Sequence, residues 1–283
     1  MPLVVMGDAS IAESLYVPLA SESEAALVCE LRKELADDLA RAPSAKFEDV
    51  SGDIRLLRFL RGWDHSILEA AAAVREMLAL RAKYDLDELH ETWAHVECDH
   101  RTADFPHQEA IDRLKPGITT AGLSHDGHVL VFEPLRHHQY GKVLEAIGDT
   151  GMRDHYFAQC ESRMGQLQRL SVSQQRMVKM VLVLDWRGVS LWTISCRRWR
   201  EYDSKYATPI NKTLAEGLAK VFVINTPGWA VGFYNQIKWW IPKKTQSKIA
   251  LLGVNFEPEL LKVMSKETCV CPVLAQHACC GWL

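Results

Sequence analysis

His90 and His95, in the segment HETWAH, come closest to a metalloprotease site in this 283-residue chain. A zinc-protease helix carries two histidines four residues apart, so that both rings leave one face with a glutamate beside them as base. Here the two stand five apart, and the geometry fails. The segment Gly188-Val189-Ser190-Leu191-Trp192 approaches a nucleophile elbow but lacks the second glycine that lets the chain turn sharply around an exposed serine. Neither a Walker A loop nor a G-x-G-x-x-G sequence follows a strand, so nucleotide phosphates have no cradle. His137 and His138 fall in a predicted loop.

Cys269, Cys271, His277, Cys279 and Cys280 crowd into twelve residues at the end of the chain. Soft ligands this close could hold zinc, and such thiols could be acylated near a membrane. The spacing matches no standard finger, and the terminal Gly-Trp-Leu is no prenylation box. The expectation is a free cysteine-rich tail over residues 269–283 with redox-labile thiols.

Composition narrows the field further. The net charge of −3, from 33 Lys and Arg against 36 Asp and Glu, argues against a general nucleic-acid binder. The first residues, MPLVVMGDASIAESLYV, have no basic region and too short an apolar run for a secretory signal, which predicts a cytoplasmic protein. No run of eighteen apolar residues occurs, so no membrane span is expected. Eight cysteines are too sparse for a disulfide scaffold.

Any site must be held by elements of two textures. Leu27, Leu31, Leu35 and Leu39 repeat every fourth residue behind a Ser-Glu start, one stripe of an amphipathic helix. Leu56, Leu57, Phe59 and Leu60 pack a second, short helix, and Ser66 caps a third that is rich in alanine. After His107 come short β-branched runs: VLVFEPL (129–135), KMVLVLDW (179–186), KVFVIN (220–225) and KIALLGV (248–254). Helical stretches lie between them, such as residues 153–170. Alternating strands and helices predict an α/β domain with a largely parallel sheet.

The stretch KVFVINTPGWAVGFYNQIKWWIPKKTQSKIALLG, residues 220–253, is unusual. It reads as strand, proline, aromatic helix, proline, strand. Pro227 fixes the chain where the strand ends and is tolerated at a first helical turn. Wound as a helix, residues 228–241 place Trp229, Phe233, Ile237, Trp240 and Ile241 along one stripe, with Trp239 well off it. Periodicity alone fits either a core-packing helix or a lid, apolar toward a cavity and able to rest tryptophans at lipid headgroups.

Four segments together resemble the CRAL-TRIO lipid-binding family. DIRLLRFLRGWDHSILEAAAAVREMLALR (53–81) resembles its helical amino-terminal module, and SHDGHVLVFEPL (124–135) its D-x-G-R-P-V strand entry, with His128 in place of arginine. VLVLDWRGVSL (181–191) resembles the D-x-x-G-x-S strand end, and residues 220–253 the I-N-x-P strand, mobile gate helix and final strand. The resemblance runs from about Asp53 to Met264, in order. It implies an extension with one helix over residues 1–50, the helical module over 51–105, and over 106–268 a lipid-binding domain whose sheet floors an apolar pocket closed by the gate helix.

The resemblance also implies a ligand. In the phosphatidylinositol-binding branch a Glu before the I-N-x-P strand, a Lys before the last strand and a nearby Thr contact the headgroup. These positions fall on Glu216, Lys248 and Thr245, with Ser190 at the preceding strand end. Trp63 and Asp64 stand where that branch carries a basic pair. The implied protein is a monomeric, non-enzymatic carrier of phosphatidylinositol that visits membrane surfaces transiently and has no catalytic residue, metal or cofactor. A carrier of a smaller hydrophobic molecule (retinoid, tocopherol or sterol) and a non-transferring adaptor remain open alternatives.

Overall fold

A computed structural model of the chain describes residues 15–99, 101–116, 119–190, 195–240 and 243–269. The tail thiols Cys271, Cys279 and Cys280 and the gate residue Ile241 lie outside these described residues.

Helices build the amino-terminal part. Ser21 opens the helix Glu22–Glu34 with a capping box: its hydroxyl accepts from Glu24 N at 3.2 Å while the Glu24 carboxylate accepts from Ser21 N at 3.0 Å. Of the expected stripe Leu31 and Leu35 are buried, with Val28 beside them, against Leu56, Leu57, Phe59 and Leu60 of the helix Asp53–Gly62 and Ala70, Val74 and Met77 of the helix Ile67–Lys83. Leu27 and Leu39 are half-buried, and the single helix expected in residues 1–50 is broken at Leu35 into Glu22–Glu34 and Ala36–Arg41, followed by the short helix Glu48–Ser51. Arg55, Arg58 and Arg61 of the Asp53–Gly62 helix are spaced three apart, and all are spent on structure. Arg55 donates to Thr213 O at 2.9 Å, and Arg58 donates to Val178 O at 2.7 Å, Glu216 O at 3.1 Å and Ser171 Oγ at 3.2 Å. Arg61 grips Glu24 through Nε at 2.8 Å and Nη2 at 2.9 Å. The first two bind the helical module to the α/β part through buried carbonyls that would otherwise lack donors.

The sheet has five strands in the order β1-β2-β3-β4-β5: Thr119–Leu123, Val129–Pro134, Met180–Asp185, Leu218–Ile224 and Ile249–Leu251. Strands β2 to β5 run parallel, as the alternation of strand and helix requires, and β1 adds antiparallel to β2 as a short hairpin turning at Gly127, φ +64. The sequence analysis misses β1 because Thr-Thr-Ala-Gly-Leu carries little apolar pattern and its pairing shifts register around Gly122. The crossover from β2 to β3 is the long helix Tyr140–Gln174, kinked at Gly148, whose φ of 70 and ψ of 172 suit only glycine.

The two sheet faces differ. On one, Leu130, Phe132, Val181, Val183, Phe222 and Ile224 are sealed by Leu260, Val263, Met264 and Cys269. Cys269 is therefore not part of a free tail. It is buried against the sheet, and that burial pushes its thiol pKa up, the reverse of a reactive cysteine. On the other face Val129, Val131 and Met180 are sealed by Met164 and Leu167 of the long helix, with Leu182 and Leu218 packed beside them, while Leu184, Val221, Val223, Ile249 and Leu251, with Trp186 just beyond β3, meet the helix Gly228–Ile237.

Candidate functional site

Parallel pairing brings the starts of β3, β4 and β5 to one edge, and each of these strands has a lysine at or near its start: Lys179, Lys220 and Lys248. Glu216 lies just before β4, in the left-handed region at φ +51. That backbone is costly for a residue with a Cβ. It is held there by Arg58 Nη1, which donates to Glu216 O.

Three ammonium groups surround the Glu216 carboxylate. Lys179 forms a close, buried ion pair with Oε2; Lys248 stands 3.3 Å from Oε1 and 3.4 Å from Oε2; Lys244 stands 3.6 Å from Oε1. Burial alone would raise the carboxyl pKa, but the lysines outweigh it and hold the group at about 2, so Glu216 is an anion at neutral pH. Burial lowers the pKa of Lys179 against the pull of Glu216. Thr245 belongs to the same corner: its carbonyl accepts from Lys248 N at 3.0 Å, and its residue is half-buried. The structure thus brings Glu216 and Lys248 together, with Thr245 tied to Lys248 through its backbone. Ser190 lies apart from them, exposed beyond the carboxyl end of β3.

Sequence reasoning passes over Lys179, Lys244 and Arg58 as members of this corner. The signal was present for Lys179, since lysines at the starts of parallel strands share an edge. Lys244 and Arg58 reach the corner from other elements and leave no local pattern. His128, which stands in place of an arginine, is wholly buried: Nδ1 accepts from Lys179 N at 3.1 Å and Nε2 donates to Leu15 O at 2.6 Å.

The strand ends carry their own ties. Asp185 accepts from Arg187 N at 2.9 Å and from Asn225 Nδ2 at 2.8 Å, and Gly188 turns at φ +71. The D-x-x-G and I-N-x-P segments therefore lock to each other where β3 and β4 end. From Pro227, at φ −70, the helix Gly228–Ile237 departs, then tightens to a 3-10 turn over Lys238–Trp240. That tightening interrupts the continuous stripe expected over 228–241. Val231 and Tyr234 lie against the sheet face, Ala230 is buried, and Trp229 and Phe233 are half-buried, with the Trp229 ring 5.9 Å from Trp186 and 6.3 Å from Phe233. The side chains of Ile237 and Trp240 are not among those described. Trp239 is 80% exposed, with the Lys238 ammonium 5.7 Å from its ring.

The face beneath this helix is only partly sealed: Val221, Val223 and Leu251 are buried, but the centre is not. On central strand β3, Val181 and Val183 are 0% exposed on the covered side, while their alternates Leu182 and Leu184 keep solvent contact. A residue at the middle of a five-stranded sheet stays accessible only where its face opens on space. Trp186 Nε1 is buried there with no hydrogen-bond acceptor among the described residues. Glu133 shares this face, in register with Leu184. Burial would raise its pKa, but Lys115, at 3.3 Å, and the nearby His138 hold it at about 2.

The histidines of the enzyme readings have structural partners. His138 is buried; Nε2 donates to Pro116 O at 3.1 Å, and burial pushes the ring down to about 4. His90 sits between Glu161 at 2.8 Å and Asp49 at 3.2 Å, and Arg81 also bonds Glu161 at 2.9 Å. Burial works against protonation of His90, yet the two carboxylates raise it to about 9. Among the described residues no group of three His, Cys, Asp or Glu side chains is placed to hold a metal ion, and no helix is long and apolar enough to cross a membrane.

Comparison with known proteins agrees with this geometry. Residues 122–270, just over half of the chain, match the model of the CRAL/TRIO domain. Patellin-2 of Arabidopsis thaliana is 23% identical over 221 residues, covering 76% of this chain but only 29% of that protein, so the chain spans under a third of the relative's length. The crystal structure of Sfh5 superposes with a TM-score of 0.58 at 14% identity, covering 82% of this chain and 81% of that one, a likeness of fold. An α/β sheet behind a helical module, a half-open apolar face under an aromatic helix and the match over residues 122–270 converge: the chain belongs to the CRAL/TRIO family, whose domains bind lipids and other small hydrophobic ligands.

Proposed function

We propose that the chain binds a phospholipid, phosphatidylinositol, and transfers or presents it between membranes by non-covalent exchange. The observation that carries this reading is the accessibility of Leu182 and Leu184 at the centre of the sheet, beneath the Gly228–Ile237 helix. Acyl chains lie against this part of the sheet, and the gate residues Trp229, Phe233, Ile237, Trp240 and Ile241 close over them. Trp186 Nε1 is placed to donate to an ester carbonyl.

Two acyl chains hide on the order of thirty methylenes, and at ~0.8 kcal/mol each the bare lipid in water lies roughly 25 kcal/mol uphill. Release into water is negligible. A pocket of hydrocarbon-like polarity makes the protein-bound and bilayer-bound states nearly equal, so exchange needs only a gate that opens at a membrane. No bond is made or broken, and no catalytic residue or cofactor is called for.

The headgroup belongs at the strand-start corner. There the Lys248 ammonium meets phosphate, Thr245 adds a hydroxyl, and the Glu216 carboxylate accepts from ring hydroxyls. Ser190, at the opposite end of β3, contacts the ligand from the strand-end side. The protein works as a cytoplasmic monomer that visits membranes through the exposed Trp239 and its flanking lysines.

The test is transfer of labelled phosphatidylinositol between vesicles. Wild-type protein moves it, and Lys248→Ala loses that activity while keeping its fold. Transfer of a phosphate-free lipid alone would contradict the reading.

A further inference from the structure

Lys244 leaves the segment that follows the gate helix and crosses to the helical module. Its ammonium donates to Arg61 O in a close contact, lies 3.3 Å from Asp64 Oδ1 and stands 3.6 Å from Glu216 Oε1. The corner therefore contains a second carboxylate. Asp64 is held at the rim by a turn in which both Asp64, φ 48, and His65, φ 63, are left-handed, and its side chain is 90% exposed.

The three ammonium groups are not equally available. Lys179 is buried, at 8% side-chain exposure, in its close pair with Glu216. Lys244, 43% exposed, is already engaged by Arg61 O and Asp64 and stands in ion-pair range of Glu216. Lys248, with only long contacts to Glu216 and a partly exposed side chain, has capacity left for a ligand. Lys248 is therefore the ammonium of the three best placed to meet a phosphate, while Lys220, at the same edge, is buried with Ser247 O at 3.4 Å.

A second phosphate would also meet Asp64. The two Lys244 contacts, 3.6 Å and 3.3 Å, place the Glu216 and Asp64 carboxylates within roughly 7 Å of each other, inside a Debye length of about 8 Å at physiological salt. A headgroup bonded to Glu216 thus lies within the field of Asp64. An added phosphomonoester brings about −1.5 to −2 of charge, and like charges at this range repel.

We infer that Asp64 is a specificity-determining residue: it restricts the corner to a phosphate ester of single negative charge and rejects inositol phospholipids carrying a further phosphomonoester. The inference rests on the headgroup reading of the Glu216 corner. The Asp64–Lys244 pair is exposed, so replacing Asp64 leaves the fold in place.

The experiment compares wild type, Asp64→Asn and Asp64→Lys, each verified by thermal unfolding, in transfer from phosphatidylcholine vesicles containing either phosphatidylinositol or phosphatidylinositol 4-phosphate. Wild type is expected to favour the unphosphorylated headgroup by roughly tenfold, Asp64→Asn by about threefold, and Asp64→Lys by no more than about twofold. An unchanged preference in Asp64→Lys, or equal transfer of both lipids by wild type, overturns the inference while the phosphatidylinositol signal still supports the headgroup reading. Silence in both arms overturns the headgroup reading and the inference with it. Added inorganic phosphate is expected to leave both rates unchanged; inhibition by it would assign the corner to free phosphate and overturn the proposal.

Discussion

Lys248 and Glu216 are 32 residues apart in sequence, yet the Lys248 ammonium lies 3.3 Å from one Glu216 carboxylate oxygen and 3.4 Å from the other. The parallel pairing of β4 with β5 makes this meeting, because both residues precede their strands and parallel strands start at the same edge. Glu216 keeps a buried partner in Lys179, whereas Lys248 holds only long contacts. The two members of the pair therefore differ in what their loss does.

Lys248→Ala leaves Glu216 paired with Lys179, so urea unfolding should show a loss of no more than about 1 kcal/mol, with phosphatidylinositol transfer falling at least tenfold. Glu216→Gln instead strands the buried Lys179 ammonium and should cost roughly 3–5 kcal/mol. Equal destabilisation by the two changes would contradict this assignment of partners.

The two faces of β3 give a paired test. Val183→Trp pushes a large side chain into the sealed face and should destabilise by about 1–3 kcal/mol or more. Leu184→Trp enters the open face and should leave thermal stability nearly unchanged while reducing the amount of co-purified lipid. Similar melting losses for both would mean that both faces are filled.

How far the sequence could be read is clear from these same residues. The leucine stripe, the strand runs and Pro227 report local periodicity and backbone restriction, which depend on few long-range contacts; the strands they mark are present, while the leucine helix breaks at Leu35 and the helix after Pro227 stops at Ile237. Strand β1 has no such pattern and exists because β2 offers it an edge. Glu216, Lys248 and Thr245 were accessible only through resemblance to a family, since a lone Glu or Lys reads as solvated surface. Lys244 and Arg58 were illegible because their partners, Asp64 and Val178 among them, lie more than a hundred residues away. The burial of Cys269 was hidden for the same reason.

His90 sets a pH dependence. Its folded pKa, about 9, lies above the ordinary 6.5, so its stabilising contribution is complete below pH 6.5 and is lost as pH rises toward 9. The groups facing it are Asp49, Glu161 and the Phe47 ring at 4.0 Å, with Arg81 sharing Glu161. Unfolding free energy should fall between pH 6.5 and 9 by on the order of 1–3 kcal/mol, and His90→Gln should flatten that segment of the curve. An unaltered slope in the variant would contradict the assignment.

Trp239 leaves 80% of its surface exposed, with only the Lys238 ammonium near its ring among the described residues. Trp239→Ala should leave stability within about 0.5 kcal/mol of wild type and weaken co-sedimentation with anionic vesicles several-fold. Unchanged vesicle binding would remove Trp239 from the membrane-facing surface.

The central claim is that hydrocarbon occupies the space above Leu182 and Leu184. Native mass spectrometry of the protein as purified from cells tests it most directly. The expected spectrum carries one bound lipid per chain, released on activation with the mass of phosphatidylinositol, and Lys248→Ala loses that species while remaining folded. A wild-type spectrum of the bare chain alone, from gentle conditions that keep the fold, would contradict it.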